Sequence, residues 1–275
     1  MIITMHGLST MYSNARTDIR IAREAGFDGY EIIEAKLLRY LDQGYKEKDL
    51  LPLFEQYQIR PVCINALKDV DRVEPEERAQ LLKEARRICE AAEVLGFQTI
   101  QLVPFCRLEG RPWGEVLALT AKNIADIADI GKEHGVRFQL EPIAWSPIHS
   151  LSQSLEVIAA ADRDNVGMVI DFWHLWAGAE TVPDEVAALD PSMIYGVHFC
   201  DGIRHTGEGK DWNEPALRGF LPGEGNIPIK EWVAAVKSTG YDGSWSSELL
   251  SPRHWEWDVL EIARETRRLM EKYIL

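Results

Sequence analysis

Apolar residues along the chain follow two alternating rhythms. Short, nearly continuous apolar runs occupy roughly 2–6, 28–33, 59–64, 98–103, 136–141, 166–171, 193–199 and 243–248, the length and composition of buried strands. Between them apolar residues recur at three- and four-residue spacing, as in Leu81, Leu82, Ala85, Ile88, Ala92 and Leu95, or in Ile124, Ile127, Ala128 and Ile130. That spacing predicts helices with one buried face. A repeated junction joins the two rhythms: Ala25-Gly26-Phe27-Asp28, Leu95-Gly96-Phe97-Gln98, His134-Gly135-Val136-Arg137 and Thr239-Gly240-Tyr241-Asp242. Each places a glycine where a helix must close in the left-handed conformation before the next strand begins.

Eight strand-then-helix units are best satisfied by a closed (β/α)8 TIM barrel, because closure leaves no sheet edge unpaired. An open doubly wound sheet would need a glycine-rich phosphate turn after the first strand, and His6-Gly7-Leu8-Ser9 lacks its second and third glycines. No linker rich in Pro, Gly or Ser divides the chain, so residues 1–275 are read as a single domain. The longest non-periodic stretch, about 200–228, follows the seventh strand, and a loop of that length in a compact domain is more often functional than idle.

Composition narrows the function. At 275 residues, 46% apolar and 27% charged, the chain can bury a large core. Its 30 Lys and Arg against 44 Asp and Glu leave a net charge of −14, with no basic stripe, which disfavours a nucleic-acid backbone as partner. No apolar run approaches the roughly 18 residues of a membrane helix, and Met1-Ile2-Ile3-Thr4-Met5-His6 begins on a strand-like run without a leader pattern. Cys63, Cys89, Cys106 and Cys200 are scattered without a C-x-x-C, as free thiols in a reducing compartment would be. A cytoplasmic location is the expectation.

Strands five to eight end on Glu141, Asp171, His198 and Glu248, spaced one strand–helix step apart. In a parallel barrel those ends share the rim where active sites form. Three carboxylates gathered there repel one another unless a cation compensates them, and a divalent metal is the economical explanation. Three oxygens and one nitrogen suit Mn²⁺ or Co²⁺, with Zn²⁺ and Mg²⁺ also compatible. Trp145 and Trp173, just after strands five and six, offer aromatic faces to sugar C–H bonds or to the barrel wall. His6, Asn65 and Gln101 lie near other strand ends and are further candidates to line the pocket.

Several segments in this order carry a family resemblance: Gly26-Phe27-Asp28-Gly29-Tyr30-Glu31-Ile32, Asn65-Ala66-Leu67, Asp164-Asn165-Val166-Gly167, Asp171-Phe172-Trp173-His174, His198-Phe199-Cys200-Asp201 and Pro222-Gly223-Glu224-Gly225. Over nearly its whole length the chain resembles the sugar isomerase/epimerase superfamily of xylose isomerase-like TIM barrels, and most of all its inosose (2-keto-myo-inositol) isomerase type. The resemblance implies one divalent metal on Glu141, Asp171, His198 and Glu248, with Glu141 and Glu248 as the acid/base pair. The implied reaction removes the α-proton of a ketose or cyclic polyol ketone and returns it elsewhere, through an enediolate that the metal stabilises. It also implies that His174 and Arg218, the latter in the long exposed loop, bind substrate oxygens. Homo-oligomers are common in the family.

The chain departs from relatives that epimerise free ketohexoses, which usually have a further glutamate where Pro147 stands here. That favours cyclic polyol ketones. Asp171-Phe172-Trp173-His174-Leu175-Trp176 also resembles the branch that dehydrates inosose or 3-dehydroshikimate, a reaction beginning with the same proton removal. An endonuclease IV-like role would require additional histidines between His6 and His134, which are missing, and a surface less acidic than this one. A barrel that binds a polyol without catalysis is the remaining alternative.

Overall fold

The computed structural model describes residues 1–178, 181–206 and 212–275. Eight parallel strands close into a barrel in sequence order: β1 (Ile2–His6), β2 (Gly29–Ile33), β3 (Arg60–Lys68), β4 (Thr99–Val103), β5 (Arg137–Leu140), β6 (Val166–Asp171), β7 (Ile194–Phe199) and β8 (Ser244–Ser247). The ring is completed by β8 against β1, with Ile2 opposite Ser244 and Met5 opposite Ser247. This is the (β/α)8 barrel that the apolar rhythms predict.

Period-2 alternation splits each strand between two environments. Ile3, Met5, Tyr30, Ile32, Phe138, Leu140, Met168, Ile170, Val197 and Trp245 are buried in the main apolar core. The helices Pro75–Leu95 and Trp113–Glu133 contribute Leu81, Ala85, Ile88, Ala92 and Leu95, and Ile124, Ile127, Ala128 and Ile130, to the same core. Each Val, Leu, Ile, Met or Phe among them contributes about 1.5–3 kcal/mol of transfer free energy when fully buried, and each alanine less. Polar residues on the intervening strand positions satisfy one another: Arg137 Nε donates to Thr99 Oγ1 at 3.0 Å, and Gln139 Nε2 donates to Gln101 Oε1 at 2.9 Å. The four junction glycines, Gly26, Gly96, Gly135 and Gly240, all have φ between +67° and +87°.

Two sequence expectations need correction. Strand β3 continues to Lys68 rather than stopping near 64, because Leu67 and Lys68 go on pairing with Leu102 and Val103 of β4. Asn65 therefore lies within a strand. The 200–228 stretch is not wholly irregular, since Glu214–Arg218 forms a short helix with the Asn213 side chain accepting from Ala216 N and Pro215 in its first turn. Arg218 ends that helix at 2% exposure, not on an exposed loop.

Candidate active site

The C-terminal ends of β5 to β8 converge on one point. Asp171 is the last residue of β6 and stands opposite His198 of β7 in the ladder, while Glu141 and Glu248 directly follow β5 and β8. All four are at most 6% exposed, and one donor atom from each lies within 4.8 Å of every other. His198 Nδ1 is 3.0 Å from Glu141 Oε1, 3.3 Å from Glu248 Oε2 and 3.6 Å from Asp171 Oδ2. Four donors about 2.1 Å from a shared ion sit about 3.4 Å apart, so this buried O3N set fits one divalent cation.

The protein itself also supplies positive charge. Arg218 Nη2 donates to Asp171 Oδ2 at 2.9 Å and to Glu248 Oε2, while Nη1 lies 2.9 Å from His174 Nε2 and donates at the same distance to Glu214 Oε1. Its guanidinium stacks 5.3 Å above the ring of Trp173. Burial opposes a charge on His198, yet Glu248 and Glu31 beside it carry its pKa well above the ordinary histidine value. Burial likewise pushes the Glu141 carboxyl up to about 8, with Glu248 and Asp171 adding to the rise and His198 opposing it. Glu248 goes the other way. Its burial is outweighed by Arg218, His198 and His6, which hold it well below the usual carboxylate range.

His174 begins from Asp171. The Asp171 carboxylate caps the helix Phe172–Ala177 by accepting from His174 N at 2.6 Å, which turns the imidazole toward Arg218. Burial, aided by the Arg218 cation and opposed by Asp171, holds His174 down to about 3, so the ring is neutral. Trp145 is half-buried, with its ring 5.4 Å from His174, 6.1 Å from Trp173 and 5.8 Å from Trp212. Trp173 itself is fully buried and donates through Nε1 to Ile203 O. Trp212 was not singled out from the sequence; its aromatic character was the only available clue.

The first four strands support this centre. Gln101 Nε2 donates to Glu141 Oε2 at 2.8 Å. His6 Nε2 lies 3.4 Å from Glu31 Oε1 and 3.6 Å from Glu248 Oε1, and Asn65 Nδ2 donates to Glu31 Oε1 at 3.2 Å. Glu31 was not recognised as a site residue, although it lies inside one of the family-like segments. A second missed residue is Asp201: its carboxylate accepts from the backbone N–H groups of Gly202, Gly223, Gly225 and Ile227, tying the two motifs flanking the Arg218 segment into one knot. A Cβ at Gly225 would fall 2.3 Å from Asp201 Oδ1, so only glycine permits that approach.

Residues 19–273 match the model of the xylose isomerase-like TIM barrel family. The chain is 24% identical to an inosose isomerase of Bacillus velezensis, over 96% of this chain and 94% of that protein. It is 26% identical to a 3-dehydroshikimate dehydratase of Pseudomonas aeruginosa over 82% of this chain but only 34% of that longer protein. The crystal structure of IolI protein with a bound zinc atom superposes with a TM-score of 0.91 at 22% identity, covering 100% of this chain and 98% of that one.

Proposed function

The chain belongs to the xylose isomerase-like TIM barrel family, and from that premise we propose that it is a divalent-metal-dependent isomerase or epimerase of a ketose or cyclic polyol ketone of inosose type. The observation that carries the reading is the buried cluster of Glu141, Asp171, His198 and Glu248, with two glutamates in one ring of donors. The inosose isomerase relative, matched over most of both chains, supports the substrate class.

Glu141, Asp171, His198 and Glu248 would hold the ion. When bound, a divalent cation polarises a carbonyl and offsets the negative charge that builds on its oxygen as the α-proton leaves. Glu141 and Glu248 approach that point from strands on opposite sides of β6 and β7. One takes the proton from the carbon next to the carbonyl, and the other delivers a proton to the neighbouring carbon or the opposite face. Proton number and redox state are unchanged across the whole step, so the chain needs no further co-reactant. Arg218 and the neutral His174 would meet substrate hydroxyls by exchanging part of the bonds they now make with each other and with Glu214, Asp171 and Glu248. Trp145 offers its half-buried face to C–H bonds, and Trp173 supports Arg218 from below.

Proton NMR in D2O against inososes, ketohexoses and 3-dehydroshikimate, with metal analysis of the purified protein, tests the proposal. Exchange of one substrate α-proton without loss of water is expected, as is its disappearance in Glu141→Gln and Glu248→Gln. If both variants exchange at the wild-type rate, the mechanism is wrong. The Pseudomonas relative favours a second reading, dehydration, which an alkene product would establish.

A further inference from the structure

Glu31 belongs to none of the donors proposed for the ion, yet it collects polar contacts from four strands. It is 2% exposed, and its Oε1 lies 3.1 Å from His198 Nε2, the ring nitrogen facing away from Glu141, Asp171 and Glu248. Asn65 Nδ2 donates to the same oxygen at 3.2 Å, His6 Nε2 approaches it to 3.4 Å, and Ser246 Oγ donates to Oε2 at 2.5 Å. The partners of His198 thus divide by nitrogen.

A neutral imidazole carries one proton, and the partner of one nitrogen decides where it sits. A carboxylate can only accept, so Glu31 against Nε2 selects the Nε2–H form and leaves the Nδ1 lone pair free. With an ion among the three carboxylates, that lone pair would meet it in place of the contact Nδ1 now makes with Glu141 Oε1 at 3.0 Å. Asn65 and Ser246 fix the carboxylate in turn, because each donates to a different oxygen. His6 is oriented in the same sense: Leu8 N donates to its Nδ1 at 3.0 Å, which places the ring proton on Nε2, directed between Glu31 and Glu248.

We propose that Glu31 is the positioning residue of the metal centre, holding His198 in the tautomer and orientation that direct Nδ1 at the ion, with Asn65 and Ser246 holding Glu31. The inference rests on the metal reading above. It competes with a distinct arrangement on the same residues, since His6, Glu31 and His198 also bring donor atoms within 4.8 Å of one another. An ion there would use Nε2 and reverse the tautomer.

Competition titration of the metal-free full chain with Zn²⁺ against a chromophoric chelator reads affinity. Outer-shell carboxylates of this kind are worth about 10- to 100-fold in metal affinity, so Glu31→Gln should bind that much more weakly, with Glu31→Asp intermediate. Ser246→Ala should weaken binding in the same direction by less. The Co²⁺ form of Glu31→Gln should also show an altered visible spectrum, which a merely structural loss would leave unchanged in the folded fraction. Long-range proton–nitrogen correlation of histidine-labelled, Zn²⁺-loaded wild type, assigned against His198→Gln, gives the answer even where Glu31 variants fail to fold. It should show His198 protonated at Nε2 and metal-bound at Nδ1. The reverse tautomer, or two ions per chain, would overturn the proposal. Tight wild-type binding with unchanged affinity in Glu31→Gln sinks this inference alone, whereas a wild type that takes up neither ion sinks the metal reading with it.

Discussion

Replacing Asp201 by Asn tests whether the loop carrying Arg218 is held by a single carboxylate. Asp201 Oδ1 accepts from Gly202 N at 2.8 Å and Ile227 N at 3.2 Å, and Oδ2 accepts from Gly223 N at 2.7 Å and Gly225 N at 2.9 Å. An Asn has one acceptor oxygen. Whichever way its amide turns, one pair of backbone N–H groups meets an NH2 instead, and two charge-assisted hydrogen bonds are lost. Bonds to charged groups contribute about 1.5–3 kcal/mol each, and loop relaxation keeps the net loss toward the lower end, about 3 kcal/mol for the pair. For a chain of this size, with an unfolding entropy of about 2.1 cal/mol/K per residue, that lowers Tm by about 5 °C. Because the helix ending at Arg218 lies between the two tied segments, substrate α-proton exchange should fall by about tenfold as well, which corresponds to about 1.4 kcal/mol of lost transition-state binding. Thermal unfolding by circular dichroism and exchange in D2O read the two effects. A variant that melts within about 1 °C of wild type and exchanges at the same rate would refute the reasoning.

Other outcomes follow from the same geometry. Arg218→Met removes the cation touching Asp171 and Glu248, so the metal-free form should lose about 3 kcal/mol. A bound divalent ion should recover much of that loss, and an equal deficit with and without metal in calorimetry would contradict the compensation argument. Lys36 Nζ donates to Asp18 Oδ2 at 2.6 Å, Gly7 O at 2.8 Å and Thr10 O at 2.6 Å, fully inside the fold. Lys36→Met should cost about 3–5 kcal/mol, and adding Asp18→Asn should restore part of it in urea titrations; no restoration would mean the pair is not coupled. Chelation should abolish α-proton exchange reversibly, and exchange that survives complete removal of metal would exclude the metal's role. Trp145→Ala should raise KM about tenfold with kcat largely kept, as expected for a face that binds substrate before and during the reaction alike.

Much of the architecture was legible because two signals recur. The left-handed glycines at four helix ends and the apolar runs after them located seven of the eight strands to within a residue at each end. The eighth, β3, ran on because its last residues are held by ladder pairing with β4, a tertiary effect that leaves no mark on local pattern. Clustering of Glu141, Asp171, His198 and Glu248 was readable because it follows from their places at strand ends. Glu31 and Asp201 were not, since their importance lies in what they touch: an imidazole 167 residues away, and backbone amides as far as 26 residues on. Arg218 was misjudged for the same reason. A charged residue in a polar stretch reads as solvated until its carboxylate partners are known.

The wall of the barrel divides its labour. On one arc, β5 to β8 bring up the groups proposed to meet metal and substrate. On the other, His6, Glu31 and Gln101 from β1, β2 and β4 touch those groups from behind, and Asn65 of β3 holds Glu31 in turn. Substitutions on the two arcs therefore act on different quantities. Changes on the first alter which reaction is possible, while changes on the second adjust how firmly a given arrangement is held and act as graded dials. An engineer seeking a new substrate would begin at Trp145 and the Arg218 segment. One seeking a different ion affinity would leave those untouched and work through Glu31 and Asn65.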